Sequence, residues 1–212
     1  MTEFYKRLFT STILLLLLYF SFFSDYLLFL TLFFLFYFSF IEAKNIGFKI
    51  FYKKKDRFLF LIFSLIILLV FCLIVWLLVT KDSNSKNIIL FFLCICISTD
   101  IGGYIFGKVF KGKKLTSISP NKTYSGMFGS FLLSILSTFM FINIISLNIN
   151  IFIISLIISF TSQIGDLFFS FLKRKAKIED TGNILPGHGG ILDRIDGIIF
   201  GIPVGYIFYL IN

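Results

Sequence analysis

The sequence predicts an all-α fold, a polytopic integral membrane bundle of about seven transmembrane helices, and three observations carry the prediction. Hydrophobic residues make up 58% of the 212-residue chain and aromatic residues 20%, with a mean hydropathy of +0.96. A soluble domain of this size needs more polar surface than that. The apolar residues are gathered into runs separated by short polar segments, and the 20 Lys and Arg fall, all but Lys81 and Lys86, in alternate segments between those runs.

Taken in order, Lys6 and Arg7 precede a first apolar run over 8–23. No small-residue cleavage site follows it and a second run, 26–41, begins at once, so the first reads as a retained span and not as a signal peptide. Both are short against the roughly 20 residues that cross the hydrocarbon, which leaves their ends loosely defined. Longer runs lie at 58–79, 88–106, 127–147, 149–169 and 191–211. With the N-terminus in the cytoplasm, segments 1–7, 42–57, 107–126 and 170–190, with Arg194 just beyond, all face that side and hold every Lys and Arg except those two. One missed span would scramble this agreement with the positive-inside rule. The expected location is the cell (inner) membrane, with the N-terminus and the polar loops cytoplasmic.

The net charge of +9 therefore describes topology, and no nucleic-acid partner is expected. The 32 Phe read as compositional bias. Cys72, Cys94 and Cys96 all fall inside apolar runs, and Cys94-x-Cys96 is too closely spaced for a zinc knuckle, so they read as apolar fillers. No internal repeat, low-complexity linker or soluble domain is visible. The organisation expected is 1–90, about three N-terminal helices, followed by 91–212, a catalytic membrane domain.

Chemistry concentrates in 170–196, SFLKRKAKIEDTGNILPGHGGILDRID, which contains the one His of the chain, His188. Two more acids lie where charge is costly. Asp100 sits about seven residues inside its run, roughly 10 Å deep at ~1.5 Å per residue, and Asp166 lies near the cytoplasmic end of its own. An interfacial carboxylate reaching headgroup water is one reading of each; an acid facing a wet cavity is the other. Asp193 and Asp196, three apart, share a face if the last helix begins near 191. Together with Asp100 and Asp166 they would form an all-oxygen set of the kind Mg²⁺ takes when it bridges to substrate phosphates. Lys122, Lys173, Arg174 and Arg194 are suited to polyphosphate. The stretch 107–126 adds glycines and five Lys, although G-x4-G-K-[ST] does not occur, and a basic loop is also simple topology. For His188, a turn hydrogen bond, a phosphate contact and a proton relay all stay open.

The 170–196 segment resembles the signature of phosphatidate cytidylyltransferases, the CDP-diacylglycerol synthases. The residues that carry the likeness are Ser170, Leu172, Lys173, Arg174, Asp180, Gly182, Leu185, Pro186, His188, Gly189, Gly190, Ile191, Asp193, Arg194, Ile195 and Asp196. Glu179 departs, standing where the family has Lys, and Lys175 and Lys177 are the nearby cations that could compensate. Upstream, Asp100, Gly102, Gly103, Tyr104 and Gly107, then Ser119, Pro120, Lys122, Thr123 and Gly126, are similar to two further family blocks. Gln163, Gly165 and Asp166 resemble the block before the signature, and Glu42 is similar to an early family Glu. The likeness covers about 98–200 well and the first 90 residues weakly, and family members are usually longer by one or two N-terminal spans.

The resemblance implies an enzyme that joins CTP and phosphatidic acid, with Mg²⁺, to give CDP-diacylglycerol and pyrophosphate. Asp166, Asp193, Asp196 and His188 are the implied catalytic residues, and Asp100, Asp166, Asp193 and Asp196 the metal-linked set. Lys122, Lys173, Arg174, Arg194, Ser119, Gly189 and Gly190 are the implied substrate contacts. A homodimer is one assembly this allows. The competing readings are a CTP-dependent enzyme acting on another lipid, such as a polyprenol kinase or an archaeal lipid cytidylyltransferase, and a transporter with intramembrane carboxylates. A CDP-alcohol phosphotransferase is disfavoured because D-G-x-x-A-R does not occur.

Overall fold

The computed structural model describes residues 3–116, 119, 122–145 and 150–211, all helix, turn and connecting loop apart from isolated bridges. The helices are α1 (Glu3–Ser21), α2 (Asp25–Ile50), α3 (Lys54–Lys81), α4 (Ser83–Phe110), α5 (Tyr124–Thr138), α6 (Ile151–Lys175), α7 (Leu192–Ile195) and α8 (Ile198–Leu210). Each of the seven apolar runs contributes a helix. Among the described residues α2, α3, α4 and α6 are long and apolar enough to cross a membrane, and α1 contains a shorter apolar helix. Large side chains such as Leu15, Phe33, Leu69 and Leu73 are exposed on the isolated chain, as acyl-chain-facing positions of a membrane protein are. The fold is that of a helical membrane protein.

Two runs depart from the single helices the sequence predicts. The run 127–147 is helical only to Thr138 and then turns; 146–149 lie outside the described residues. The run 191–211 is divided into α7 and the 13-residue α8. At ~1.5 Å per residue α8 is about 20 Å long, short of the ~30 Å hydrocarbon. The break falls at Asp196 and Gly197, where the Asp196 side chain accepts the N–H of Gly197 at 2.9 Å. Just ahead of α7 the backbone N–H groups of Gly190, Ile191 and Leu192 donate to carboxylate side chains.

The chain packs as two compact units. The first comprises 1–80 with 172–195, so the signature segment folds with the N-terminal helices; the second comprises 81–171 with 196–212. In the first unit the α2–α3 turn is fastened by Arg57, whose Nε and Nη2 donate to the carbonyl of Phe51 at 3.3 and 3.0 Å while its guanidinium lies 4.3 Å from the Phe48 ring centroid. In the second unit α4 and α5 cross at glycines. A Cβ on Gly102 would stand 2.4 Å from the Gly129 carbonyl oxygen, and one on Gly126 2.7 Å from that of Gly103. Close backbone approach of this kind is how membrane helices pack without a hydrophobic drive. Hydroxyls fill the seam: Ser130 Oγ donates to the Thr99 carbonyl at 2.7 Å and Thr99 Oγ1 to Ser159 Oγ at 2.9 Å.

The end of α6 is a Schellman motif. Ile178 N–H donates to the Lys173 carbonyl at 3.0 Å and Lys177 N–H to that of Arg174 at 3.1 Å, which requires a left-handed residue between them. That residue is Lys177, φ 55°. Lys177→Gly is therefore expected to stabilise the protein by about 0.5–1 kcal/mol through relief of the left-handed strain, less the glycine's own entropy. A raised midpoint in detergent thermal unfolding checks this; an unchanged or lower one counts against it.

Candidate active-site residues

In the first unit the signature builds its own turn. His188 N–H donates to the Leu185 carbonyl at 2.9 Å, with Pro186 and Gly187 (φ 78°) at the corners. Pro followed by a positive-φ Gly is the requirement of a type II turn. Gly189, φ 79°, returns the chain so that Leu185 N–H reaches its carbonyl at 3.0 Å. The imidazole of His188 is held by α1: Nδ1 lies 2.6 Å from Thr10 Oγ1 and Nε2 3.3 Å from Ser11 Oγ. Its carbonyl accepts from Arg194 Nε and Nη2 at 3.1 and 2.6 Å. Arg7, Asp180, Asn183, His188, Gly189 and Arg194 line a polar cleft of about 490 Å³.

Asp193 occupies the interior of the same unit, its side chain 6% exposed. Oδ1 accepts from Lys173 Nζ at 2.8 Å, and Oδ2 from Thr181 N–H at 2.8 Å and Gly190 N–H at 3.0 Å; Thr181 Oγ1 lies 3.0 Å from Oδ2 and shares its one proton between that oxygen and Glu42 Oε2. Burial acts to raise its pKa, but the Lys173 ammonium and the two backbone donors outweigh it and hold the carboxyl below its ordinary value. The folded pKa thus lies under the unfolded one of about 3.9. The stabilisation is complete above roughly pH 4 and is lost as pH falls through the folded value. The acid limb of a stability–pH curve should therefore flatten in Asp193→Asn below about pH 4; the parent's slope persisting in the variant would assign acid sensitivity elsewhere.

Around this set stand Glu42 and Thr181, both buried. Thr181 Oγ1 lies 2.8 Å from Glu42 Oε2 and Ile191 N–H 3.0 Å from Oε1. Arg174 and Glu179 are exposed. Of the two cations that could stand in for the family Lys, Lys175 lies 5.4 Å from the Phe51 ring centroid and Lys177 is the left-handed residue ending α6.

In the second unit Asp100, Asp166, Lys122 and Ser119 line one pocket of about 290 Å³, with Tyr104, Leu115, Met127 and Leu167 among its apolar walls. Lys122 Nζ makes an ion pair with Asp166 Oδ2. The Lys-Thr-x-x-Gly spacing has a physical cause: Thr123 is the N-cap of α5, its Oγ1 accepting from Gly126 N–H at 3.1 Å, which places Lys122 just ahead of the helix. Ser119 accepts Lys122 N–H at 3.1 Å through its carbonyl; Pro120 lies outside the described residues. Asp196 Oδ1 accepts the N–H of Gly197 at 2.9 Å, and its carbonyl lies 2.6 Å from where a Cβ on Gly165 would stand.

The structure thus brings Asp100, Asp166, Lys122 and Ser119 together in one unit. In the other it gathers His188, Gly189 and Arg194 at a cleft and Lys173, Gly190 and Asp193 in a hydrogen-bonded set. Among the described residues no three His, Cys, Asp or Glu converge as a metal cage. Sequence reasoning missed Arg7, Thr10, Ser11 and Thr181, hydroxyls and a cation with no spacing signal. Glu42 was noted only by likeness, although a lone acid beside an apolar run carries the same signal that singled out Asp100.

The fold and these side chains define a class: a helical membrane protein whose two units set carboxylates and cations around a polar cleft in one and a pocket in the other. Within that class the chain belongs to the cytidylyltransferase family, whose model matches residues 2–212. It is 40% identical over 156 residues to a phosphatidate cytidylyltransferase of Rickettsia bellii, covering 68% of each chain. It is 44% identical over 138 residues to one of Rickettsia felis, covering 58% of this chain and 59% of that one. With one of Staphylococcus epidermidis the identity is 41% over 129 residues, 59% of this chain and 49% of the relative. The matched stretches thus span from about half to about two thirds of those relatives' length.

Proposed function

We propose that this chain is a phosphatidate cytidylyltransferase that joins CTP and phosphatidic acid to give CDP-diacylglycerol and pyrophosphate at the cytoplasmic face of the membrane. A phosphate oxygen of phosphatidic acid attacks the α-phosphorus of CTP, the bond to the β-phosphate breaks, and pyrophosphate leaves with the electron pair. Such transfers need little covalent help from protein and depend on positioning and charge neutralisation. Lys122, held at the pocket by Asp166, is the cation that meets incoming phosphate oxygens there. Arg194 is anchored through two of its donors on the His188 carbonyl and presents the rest of its guanidinium to the polar cleft. Gly189 lines the same cleft, Gly190 supports it by donating its N–H to Asp193, and Arg174 on the last turn of α6 adds to the attraction for polyphosphate.

The donor set fits Mg²⁺, which takes one or two carboxylates and completes its shell with substrate phosphates and water. Asp100 and Asp166 would hold it, with Asp196 of the same unit as a further candidate, and bound there it would neutralise charge on the phosphates; Asp193, in the other unit, has both oxygens engaged by Lys173, Thr181 and Gly190. For His188, hydroxyls against both ring nitrogens support a part in orienting the Leu185–Gly189 turn.

The observation that carries the reading is that the residues matching the cytidylyltransferase signature form a fastened site, with Lys173, Thr181 and Gly190 all donating to Asp193. The test is conversion of CTP and phosphatidic acid by the purified full chain in detergent with Mg²⁺, scored as CDP-diacylglycerol and pyrophosphate. Formation of both in equal amounts is the expected result. Turnover of a polyprenol or another lipid phosphate in place of phosphatidic acid would move the assignment to a different lipid substrate. No pyrophosphate release with any lipid would overturn it.

A further inference from the structure

We infer that Glu42 is a positioning residue for the transfer reaction, holding the signature loop in shape from a helix far away in sequence. This rests on the cytidylyl-transfer reading above. Glu42 is on α2 and 2% exposed. Its Oε1 accepts Ile191 N–H at 3.0 Å, and its Oε2 accepts Leu192 N–H at 2.9 Å and the hydroxyl of Thr181 at 2.8 Å. Ile191 and Leu192 are the residues directly before Asp193, and Thr181 is itself a double partner of Asp193. One carboxylate therefore fastens both chain segments that close around the Asp193 side chain.

The surrounding glycines are cut to this carboxylate. A Cβ on Gly182 would stand 2.5 Å from Glu42 Oε1, and one on Gly190 2.5 Å from Oε2. Backbone N–H groups at a helix start need acceptors, and Leu192 opens α7. Here the acceptor comes from a different helix and not from a local cap, which ties the position of the loop to α2. Supporting groups that orient a reacting or ligating side chain are typically worth about 10- to 100-fold in activity.

The substitution that isolates this role is Glu42→Gln, equal in shape but different in donors. A carboxamide has one acceptor oxygen. In either flip its NH₂ faces a backbone N–H, of Ile191 or of Leu192, and the hydroxyl of Thr181 can turn but the amide cannot. The expected result is a fall in kcat of about 10- to 100-fold, in a protein that is less stable in detergent but still folded. Amide hydrogen exchange in peptides covering 181–193 is expected to speed up at least about tenfold while peptides of α4 and α5 keep the parent's rates. Thr181→Val on the Glu42→Gln background is expected to lower kcat by less than it does on the parent, since the two act through one hydrogen-bonded set.

Parent-like kcat in Glu42→Gln overturns the inference, as does a loss of activity that tracks a uniform rise in exchange across both units. If the parent itself converts no CTP, the reaction assignment fails separately. The exchange pattern then decides the inference: selective loosening of 181–193 upholds Glu42 as the residue that positions the loop, and unchanged exchange removes it.

Discussion

Asp166→Asn abolishes cytidylyl transfer, with kcat/KM expected to fall by at least about 10³-fold while the protein stays folded. The side chain keeps its volume and is 31% exposed beside Lys122, so the loss is one of charge and not of packing. Two functions go with that charge. The Lys122 ammonium loses the partner that holds it at the pocket, and the pair Asp100–Asp166 loses one of the oxygen ligands that suit Mg²⁺. Removing a single preorganised electrostatic contact commonly costs about 10²–10³-fold; here two such contacts depend on one carboxylate. Lys122→Met should show a smaller defect concentrated in KM for the phosphate substrates, since the carboxylates survive. Pyrophosphate release measured across a Mg²⁺ series checks both variants. Activity in Asp166→Asn within about threefold of the parent would exclude Asp166 from the site.

The helices and much of the site were legible because they depend on patterns of the chain itself. Apolar runs mark where helices form, and Lys122-Thr123-x-x-Gly126 is an N-cap spacing that the α5 start obeys. How the last run begins was not legible, because what fastens it lies elsewhere. Ile191 and Leu192 are hydrophobic and read as the opening of a span, but their N–H groups are claimed by Glu42, about 150 positions away. Composition cannot show a hydrogen bond between segments so distant. The same is true of His188, whose hydroxyl neighbours Thr10 and Ser11 come from α1, and of the packing units, which place 172–195 with the N-terminal helices. Charged and glycine-rich residues stand out in the sequence as candidates for the site. Which uncharged hydroxyls and which distant acid support them depends on tertiary structure alone.

That dependence makes Gly190→Ala the most destabilising single-methyl change expected in the first unit, at about 3–5 kcal/mol. Gly190 is buried, and an added Cβ would stand 2.1 Å from Thr181 Oγ1, 2.5 Å from Glu42 Oε2 and 2.8 Å from Glu42 Cδ. None of these atoms can retreat freely. Thr181 is stiff at χ1 and bonded to both Glu42 and Asp193, and Glu42 is pinned by three donors. Overpacking of a filled interior costs about 1–3 kcal/mol, and each buried donor left without its acceptor adds about 1–3 kcal/mol. Gly187→Ala is the informative control. Its penalty comes from a positive φ of 78° and should be near 1–2 kcal/mol. The ordering follows from steric conflict with a hydrogen-bonded set and not from backbone strain, since Gly190 is not among the positive-φ residues. Chemical unfolding of both variants in detergent gives the comparison. If Gly190→Ala proves no less stable than Gly187→Ala, the Glu42–Thr181–Asp193 set is too loose to shape the loop.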